Sequence, residues 1–422
     1  MLYGINTFNK NVKDTPLLDA SYPSLDDVYV NKRTVLLRVD YNVPADAKGA
    51  LLDDFRVRAT LPTLRLLRER GGKTVILTHR GRPGGKPHAR FSTRPIAERL
   101  AELTGHPVAH VPDCIGRVAE DAIRRMAPGD VIMLENTRFH LGEVLNQQDF
   151  VRDLAALGDI FINDAFATTH RAHASVTGLT AAMKEVAFGP LMLKEIGWAR
   201  ALMDNELRPR TAIVGGAQVA QKFDMLEAMM PKLNHLLVGG VVANTMLAAR
   251  DMGLGLSTIE PALMEQARNL MTEAGVLGCR LQLPQDVIVT RPGEEALLCR
   301  KVKAYQLAPD DIVRDLGDTT LKTWKKIIQQ STSLFWLGTV GAYEEPAFMK
   351  ATTELAEALI AAPPTTFTLV AGDGLLRALA LAGVRDKMPR VSTAGASLAA
   401  ALSGKPLPAL SMMEVRMKNK AA

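Results

Sequence analysis

Short apolar segments rich in β-branched residues recur along the chain, and polar residues bound each of them. The segments are TVLLRVDYNV (34–43), TVILTH (74–79), DVIMLEN (130–136), DIFINDAF (159–166), TAIVGG (211–216), HLLVGG (235–240), DVIVT (286–290), SLFWLG (333–338) and TFTLVAGD (366–373). Stretches with helical spacing lie between them, for example 60–72 and 92–105. Strands that alternate with helices are typical of a parallel sheet covered on both faces, so we expect an α/β fold.

The apolar segments fall into two blocks, and a chain of 422 residues exceeds what one compact core usually holds. Residues 188–205 lie between the blocks and have helical spacing. We therefore expect one domain over 1–187, a connecting helix over 188–205 and a second domain over 206–395. We expect the C-terminal segment, 396–422, to pack back on the N-terminal domain.

Nearly every predicted strand ends in residues that commonly contact ligands. These strand-end residues are Asp40, Asn42, His79, Glu135, Asn136, Asn163, Asp164, Gly215, Gly216 and Asp373. Ligands of open α/β sheets bind beyond the carboxyl ends of the strands. The sequence therefore predicts two ligand-binding edges, and the simplest arrangement places them across a cleft.

Arginine residues are concentrated near the strand ends of the first block. The cations there are Arg38, Arg56, Arg82, Arg138 and Arg171, together with His79, His170 and His173. Guanidinium groups match phosphate and carboxylate oxygens with paired hydrogen bonds. We therefore predict a site for a small molecule with more than one negative charge, whose hydroxyl group Asp40 and Asn42 could bind. For any single arginine, pairing with a surface carboxylate is the alternative.

The second block contains a glycine pair at a predicted helix start, in GGAQVAQKFDML (215–226). Backbone N–H groups at such a start suit phosphate oxygens. The first candidate for an accompanying cation is Gln218, which is an uncharged amide, and Lys222 follows about one turn later. The segment therefore has the form of a phosphate loop that has lost one charge.

Composition and charge argue against several classes of protein. The formal net charge of +6 suits an anionic ligand, whereas an aromatic content of 5% without a Lys/Arg run argues against nucleic acid. No stretch reaches the roughly 18–20 apolar residues of a membrane span, and the N-terminus lacks the apolar core of a signal peptide. Cys114, Cys279 and Cys299 are odd in number and far apart, which favours a reducing compartment. We expect a cytoplasmic protein.

Several motif-based alternatives lack support. HRAH (170–173) spaces two histidines like metal ligands, but Arg171 between them would repel a cation and no Cys or Asp has matching spacing. DYNVPADAKG (40–49) lacks the terminal glutamate of a calcium loop. Neither GxxxxGK[ST] nor GxGxxG occurs, so P-loop and dinucleotide-dehydrogenase interpretations are not supported.

From Ser24 to Leu410 the chain closely resembles the phosphoglycerate kinase family. The motifs, in the family's order, are LLRVDYNVP, LTHRGRPGG, LENTRFH, NDAFATTHRAHASV, GPLMLKE, GGAQVAQKFDML, GGVVANTMLAA, FWLGTVGAYEEPAF and VSTAGASL. The resemblance implies two Rossmann-like domains joined by a hinge helix, the first for 3-phosphoglycerate or 1,3-bisphosphoglycerate and the second for ATP or ADP with Mg²⁺. It implies reversible phosphoryl transfer between these substrates, in glycolysis, by a monomer with no membrane or nucleic-acid partner.

The resemblance also implies roles for individual residues. The phosphoglycerate ligands would be Asp40, Asn42, Arg56, His79, Arg82, Arg138 and Arg171. The nucleotide would contact Gly215, Gly216, Lys222, Gly239, Gly240, Gly338, Glu344, Gly372 and Asp373, of which Asp373 is the metal-side carboxylate. The catalytic group would be Arg56, Lys222, Gln218 and Gly395, and Arg56 would also stabilise the phosphoryl group in transfer.

Departures from the family pattern all fall in the nucleotide-side half. The family has lysine at Gln218, asparagine at Leu337, proline at Thr339 and Asp318, and threonine at Gly374. At 393–396, Thr-Ala-Gly-Ala replaces the longer Thr-Gly-Gly-Gly-Ala. Two alternatives to a working kinase therefore stay open. One is an impaired paralogue that binds phosphoglycerate as a sensor or partner protein, and the other is a phosphotransferase with an altered donor.

Overall fold

The chain forms two compact units. The computed structural model describes residues 21–46, 49–204, 206–294 and 298–421. Within these residues, the N-terminal unit comprises 21–198 and 406–421, and the C-terminal unit is drawn from Ala199–Lys405.

A six-stranded parallel sheet forms the centre of the N-terminal unit. Its strands are β1 (Thr34–Arg38), β2 (Lys73–Leu77), β3 (Val108–Val111), β4 (Val131–Leu134), β5 (Ile160–Asn163) and β6 (Glu185–Phe188). They lie in the order β3-β4-β2-β1-β5-β6, and all neighbours are parallel. Every β1 side chain after Thr34 is buried, as expected where helices cover both faces of a sheet.

Helices alternate with these strands along the chain. They are α1 (Phe55–Ala59), α2 (Leu61–Glu69), α3 (Arg94–Thr104), α4 (Gly116–Arg124), α5 (Leu141–Val144), α6 (Gln148–Ala155), α7 (Leu179–Ala182) and the first part of α8 (Pro190–Asp204). Helix α3 shows why such segments are helical: a proline lies in its first turn and Gly105 ends it at a φ of 68°. Ile96 and Leu100 share its buried face and pack in the core that also contains Val35 and Ile76.

The C-terminal unit contains two sheets. Its strands are β7 (Arg210–Val214), β8 (His235–Val238), β9 (Arg280–Gln282), β10 (Asp286–Thr290), β11 (Arg300–Lys303), β12 (Ile312–Leu316), β13 (Ser333–Leu337) and β14 (Phe367–Ala371). Five of them form a parallel sheet in the order β14-β13-β7-β8-β9. The other three form a small antiparallel sheet in the order β11-β10-β12.

Eight of the nine predicted strand segments lie in the two parallel sheets, and the ninth does not. Residues 286–290 form β10, the centre of the antiparallel sheet. The prediction of a parallel strand there was wrong because its partners were not recognised. Strand β11 reads Arg-Lys-Val-Lys and alternates half-buried with exposed positions, so its sequence shows no apolar run.

The remaining helices belong mainly to the C-terminal unit. They are α9 (Val219–Met229), α10 (Gly240–Ala248), α11 (Met264–Val276), α12 (Asp318–Gln330), α13 (Lys350–Ile360), α14 (Asp373–Leu381), α15 (Ala396–Leu402) and α16 (Pro408–Ala421). Helix α16 belongs to the N-terminal unit, where Ala409 N donates to Thr169 O and Arg416 donates to Thr180 O at 3.4 Å. Within the described ranges, no helix is both long and apolar enough to span a membrane.

The two units divide at positions that differ from the predicted domain bounds. Helix α8 lies within the predicted connecting segment, but the division falls inside the helix, after Trp198. Helix α15 lies within the predicted C-terminal segment, yet it packs against α9 in the C-terminal unit. Only the part after Lys405 belongs to the N-terminal unit.

Candidate functional site

The carboxyl ends of the central strands bring the polar residues of the N-terminal unit together. Strands β4, β2, β1 and β5 are consecutive neighbours in the sheet. Asp40 follows β1, His79 follows β2 and Arg138 follows β4. Because parallel strands end at one edge, these side chains lie in one region of the unit.

A fully buried arginine, Arg38, organises this region. Its Nε donates to Ser175 Oγ at 2.8 Å, and its Nη2 lies 3.1 Å from His79 Nδ1. Since a guanidinium group can only donate, His79 Nδ1 accepts this hydrogen bond. Burial lowers the pKa of His79 well below its ordinary value, so the imidazole is neutral at pH 7.

Asp40 is a buried carboxylate of this region, and Arg56 is its ionic partner. The two form an ion pair in which the Arg56 side chain is 11% exposed and that of Asp40 is 7% exposed. Asp40 also accepts a hydrogen bond from the backbone N–H of Asn42 at 3.0 Å. Burial alone would raise the pKa of Asp40, but the positive charge of Arg56 holds it below its usual range. Asp40 is therefore ionised at neutral pH and positions the Arg56 guanidinium.

Arg138 is buried and has unused hydrogen-bond donors. Its Nη1 donates to Gly81 O at 2.8 Å, and Asn42 Oδ1 accepts from Gly81 N at 2.8 Å. Its Nε and Nη2 atoms are buried and have no hydrogen-bond partner among the described residues. Burial, with Arg171 and Arg38 nearby, lowers the pKa of Arg138 to about 10, so it stays charged at pH 7. A buried charged donor without a partner is costly, which indicates a place for an anion.

The segment after β5 adds one further cation, Arg171, and two neutral histidines. Arg171 is half-buried, and both Arg82 and Asp40 act on its charge. Arg82 is exposed. Burial first, and neighbouring arginines second, lower the pKa of His170 to about 4 and that of His173 to about 3. The predicted cations are thus in one region, and its excess positive charge comes from arginine.

Two residues that support this region were not predicted. Glu143 is fully buried and accepts from Ser175 N at 2.9 Å and from Ser175 Oγ at 2.7 Å. Ser175 in turn accepts from Arg38. Glu143 lies seven residues after the predicted strand end at Asn136, and no pattern in the sequence links it to Ser175.

Two strand-end residues, Asp164 and Glu135, stabilise the fold by accepting hydrogen bonds at helix starts. Asp164 accepts from Thr63 Oγ1 at 2.6 Å and from Met192 N at 2.9 Å, so it anchors the first turn of α8. Burial raises the pKa of Asp164 to about 6. Glu135 accepts from Thr93 N at 2.8 Å and anchors the start of α3. These two carboxylates stabilise helix starts, whereas Asp40 faces the arginines.

In the C-terminal unit, glycines follow the strands at the carboxyl edge of the parallel sheet. Gly215 and Gly216 follow β7, Gly239 and Gly240 follow β8, Gly338 follows β13, and Gly372 follows β14. The loops touch through their backbones: a Cβ atom at Gly338 would lie 2.2 Å from Gly215 O, and Gly338 has a φ of 84°. Glycine is needed there because the chain approaches itself closely.

Gln218 and Lys222 differ sharply in environment. Gln218 is exposed, has a left-handed φ of 59° at the N-cap of α9, and makes no side-chain cap bond. Lys222 is 8% exposed and donates to Ala217 O. Burial lowers the pKa of Lys222 to about 8, against an opposing effect of Glu260. Lys222, the retained cation, therefore begins to lose its proton just above neutral pH. Gln218, the substituted position, is exposed to solvent.

The structure shows what surrounds four of the residues that depart from the family pattern. Leu337 is buried, and its Cδ1 lies 3.2 Å from where a Cβ of Gly372 would be. At Gly374 a Cβ would meet nothing closer than 3.6 Å, so this position has room for a Cβ atom. Thr339 is buried and contacts the Gly215 loop. Asp318 pairs with Lys301 and with Lys350.

The other predicted nucleotide-side residues lie at the same edge of the sheet. Asp373 is the exposed first residue of α14, and Glu344 is exposed in the segment after β13. Gly395 precedes α15 with a φ of −109°, and its Cβ would lie 3.2 Å from Gly372 Cα. The loops after β13 and β14 and the start of α15 are thus adjacent.

Comparisons with known proteins agree on one family. The family model described as phosphoglycerate kinase matches residues 25–405. Phosphoglycerate kinase of Azorhizobium caulinodans is 41% identical over 390 residues, which cover 92% of this chain and 98% of the relative. That of Syntrophobacter fumaroxidans is 37% identical over 391 residues, covering 93% and 98%. The structure of phosphoglycerate kinase from Coxiella burnetii has a TM-score of 0.79 at 32% identity, covering 94% of this chain and 100% of that one. The enzyme from Pyrococcus horikoshii has a TM-score of 0.83 at 27% identity, covering 94% and 99%.

Proposed function

The chain belongs to the phosphoglycerate kinase family and is a phosphotransferase, and from this premise we propose how its own residues carry out the reaction. Its function is reversible phosphoryl transfer between 1,3-bisphosphoglycerate and ADP, giving 3-phosphoglycerate and ATP. In the reverse direction, a carboxylate oxygen of 3-phosphoglycerate attacks the terminal phosphorus of ATP, and the bond from that phosphorus to the oxygen of ADP breaks. The acceptor is therefore a carboxyl group.

The observation that carries the phosphoglycerate assignment is that two donors of buried Arg138 have no hydrogen-bond partner in the described part of the chain. Nε and Nη2 form one face of the guanidinium fork, which matches two oxygens of a phosphate or carboxylate. Arg38 and Arg171 lie close enough to affect the charge of Arg138. A doubly charged small acid would satisfy these donors and offset the excess positive charge.

The remaining phosphoglycerate ligands are proposed from their positions in the family motifs. We assign binding roles to the motif residues of the N-terminal unit, namely Asp40, Asn42, Arg56, His79, Arg82, Arg138 and Arg171. Asp40 and Asn42 bind the hydroxyl group of the substrate, since both carry acceptor oxygens. Arg56, oriented by Asp40, supplies positive charge to the phosphoryl group in transfer.

The glycine-rich loops of the C-terminal unit form the proposed nucleotide side. Backbone N–H groups of these loops would face phosphate oxygens, since no side chains shield them there. Lys222 supplies charge and Glu344 binds the ribose. Gln218 and Gly395 complete the proposed catalytic group. Asp373 is an exposed carboxylate, the hard oxygen donor that Mg²⁺ prefers, so it would hold the magnesium that accompanies the nucleotide.

We also propose that the enzyme is monomeric and cytoplasmic. All three cysteines are free thiols, which suits a reducing compartment. We also propose that turnover is reduced, because Gln218 lacks the charge of lysine and the 393–396 loop is shortened. No structural observation favours a sensor role over catalysis, because the nucleotide-side glycine loops and Lys222 are in place.

A coupled assay for ATP-dependent formation of 1,3-bisphosphoglycerate tests the function directly. We expect measurable turnover that requires Mg²⁺ and both substrates. Binding of 3-phosphoglycerate without any turnover, in the presence of saturating MgATP, would instead support the sensor alternative.

Replacing Gln218 by lysine is expected to raise kcat at least about tenfold, or about 1.4 kcal/mol, with little change in KM. A glutamine amide can hold a ground-state oxygen, but it cannot match the charge that develops during transfer. Because Gln218 is exposed and makes no cap bond, the substitution breaks no side-chain cap contact. Steady-state kinetics of both proteins measure the effect.

Ala220→Lys is the matched control, because Ala220 is exposed on the same helix and the variant adds the same charge. We expect it to leave kcat unchanged. If Gln218→Lys had no effect while a glycine inserted after Ala394 restored activity, the shortened loop would be the limiting defect.

The lowered pKa of Lys222 predicts a pH dependence. A lysine whose pKa is about 8 is charged below that pH and neutral above it. We therefore expect kcat/KM for ATP to fall as the pH rises through about 8, since kcat/KM reports groups of the free enzyme. Lys222→Arg keeps the charge at high pH and should remove this fall. A wild-type profile that stays flat up to about pH 9.5 contradicts the prediction.

A further inference from the structure

Asp113, Cys114 and His140 lie together in the N-terminal unit, outside the residues assigned to phosphoglycerate. One ligand-type atom of each residue, a carboxylate oxygen, a thiol sulfur and an imidazole nitrogen, lies within 4.8 Å of the other two. Nε2 of His140 is 2.8 Å from Oδ1 of Asp113. This cluster combines three different types of metal ligand.

The fold explains why these residues meet. Asp113 and Cys114 follow β3, and His140 follows the single turn Thr137–Phe139 after β4. Strands β3 and β4 are parallel neighbours, so the segments after them start at the same edge of the sheet. The His140 ring also packs against Phe150, with 5.3 Å between ring centroids. The positions of the three ligands are thus set by the scaffold.

The cluster is accessible on one side and closed on the other. Cys114 is fully buried, whereas the side chains of Asp113 and His140 are 44% and 31% exposed. An ion could therefore enter from solvent past Asp113 and His140 and keep a water molecule as its fourth ligand. Burial raises the pKa of the Cys114 thiol, and the negative charges of Asp113 and Glu143 raise it further; a bound cation would offset both effects.

We propose that Asp113, Cys114 and His140 form a binding site for a divalent transition-metal ion of the Zn²⁺ class. Sulfur and imidazole ligands select such an ion over Mg²⁺ or Ca²⁺, which prefer oxygen. Tetrahedral bonds of about 2.0–2.3 Å place ligand atoms about 3.3–3.8 Å apart. The Asp113–His140 contact must therefore open by about half an ångström, and the sulfur must approach by about 1.2 Å at most.

Binding requires a defined movement of protons. The S–H bond of Cys114 breaks, its electron pair binds the ion, and its proton passes to the buffer. The ion takes the place of the hydrogen between His140 Nε2 and Asp113 Oδ1, so the neutral imidazole carries its proton on Nδ1. Metal binding should therefore release protons into a weakly buffered solution.

Titration of the full-length, metal-free protein with Co²⁺ tests the site, because a thiolate ligand produces an intense charge-transfer band. We expect this band to saturate at one equivalent and to disappear when Zn²⁺ displaces Co²⁺. Cys114→Ser should abolish the band. His140→Asn should weaken Co²⁺ affinity at least about tenfold. Zn²⁺ should also raise the Tm of the wild-type protein and not that of His140→Asn.

Cys299→Ser and His106→Asn are the matched controls, because Cys299 and His106 are exposed and belong to other segments. Both should keep the band and the Tm increase. The proposal is overturned if the wild-type protein shows no thiolate band, if Cys299→Ser removes it, or if His140→Asn leaves both the affinity and the Tm increase intact. Should Cys114→Ser fail to fold, the comparison of His140→Asn with His106→Asn decides.

Discussion

Replacing Arg56 by alanine is expected to lower kcat by about 10²–10³, equivalent to about 2.7–4 kcal/mol of transition-state stabilisation. Arg56 is a mostly buried cation that Asp40 holds in place through an ion pair. Charge on the equatorial oxygens of the phosphoryl group peaks during transfer, so a preorganised cation acts mainly on the transition state. Steady-state kinetics with both substrates at saturation measure this loss.

Arg58→Ala provides the matched control for this prediction. Arg58 lies two residues further along α1, is 51% exposed and pairs with Asp54, so its loss changes the net charge equally. We expect its kcat to stay within about twofold of the wild-type value, since exposed ion pairs contribute little. An Arg56→Ala enzyme with a raised KM for 3-phosphoglycerate and an unchanged kcat would show that Arg56 acts only in substrate binding.

Replacing Arg138 by methionine is expected to raise the Kd of 3-phosphoglycerate by about 10²-fold or more. The variant keeps an apolar stem and removes the two donors that have no partner among the described residues. Hydrogen bonds to charged groups contribute about 1.5–3 kcal/mol each, so two of them account for at least this change. Isothermal titration calorimetry measures the affinity, and a thermal melt checks that the variant is folded.

Two further variants separate charge from geometry at this position. Arg138→Lys keeps the charge but lacks the fork, so we expect only partial recovery of affinity. Arg90→Ala removes an exposed arginine of the same unit and should leave the Kd unchanged. Equal affinity of the wild-type and Arg138→Met proteins for 3-phosphoglycerate would refute the assignment of the unused donors to the substrate.

The strand pattern was predictable wherever a strand is buried on both faces. Strands β1, β5, β7 and β13 read as apolar runs because helices cover both sides of the parallel sheets. The edge strand β9 and the antiparallel partner β11 are partly exposed, so no apolar run distinguishes them. The prediction failed at 286–290 because an antiparallel pairing depends on segments elsewhere in the chain.

The sequence by itself determined which residue types stand at the strand ends. Arg138 follows β4 and the glycine pair Gly215-Gly216 follows β7 because strand ends are encoded by local apolar patterns. The same local information placed Gln218 at the start of a helix. These positions were enough to predict an anion site and a phosphate loop.

Only the tertiary structure decided what those residues do to one another. It left two donors of Arg138 without a partner among the described residues, buried Lys222 so that its pKa is about 8, and assigned Asp164 to the start of α8. It also brought His140 next to Asp113, which no spacing motif links. The physical reason is that burial, desolvation and hydrogen-bond completion depend on neighbours distant in sequence, whereas strand and helix periodicity depends on neighbours a few residues away.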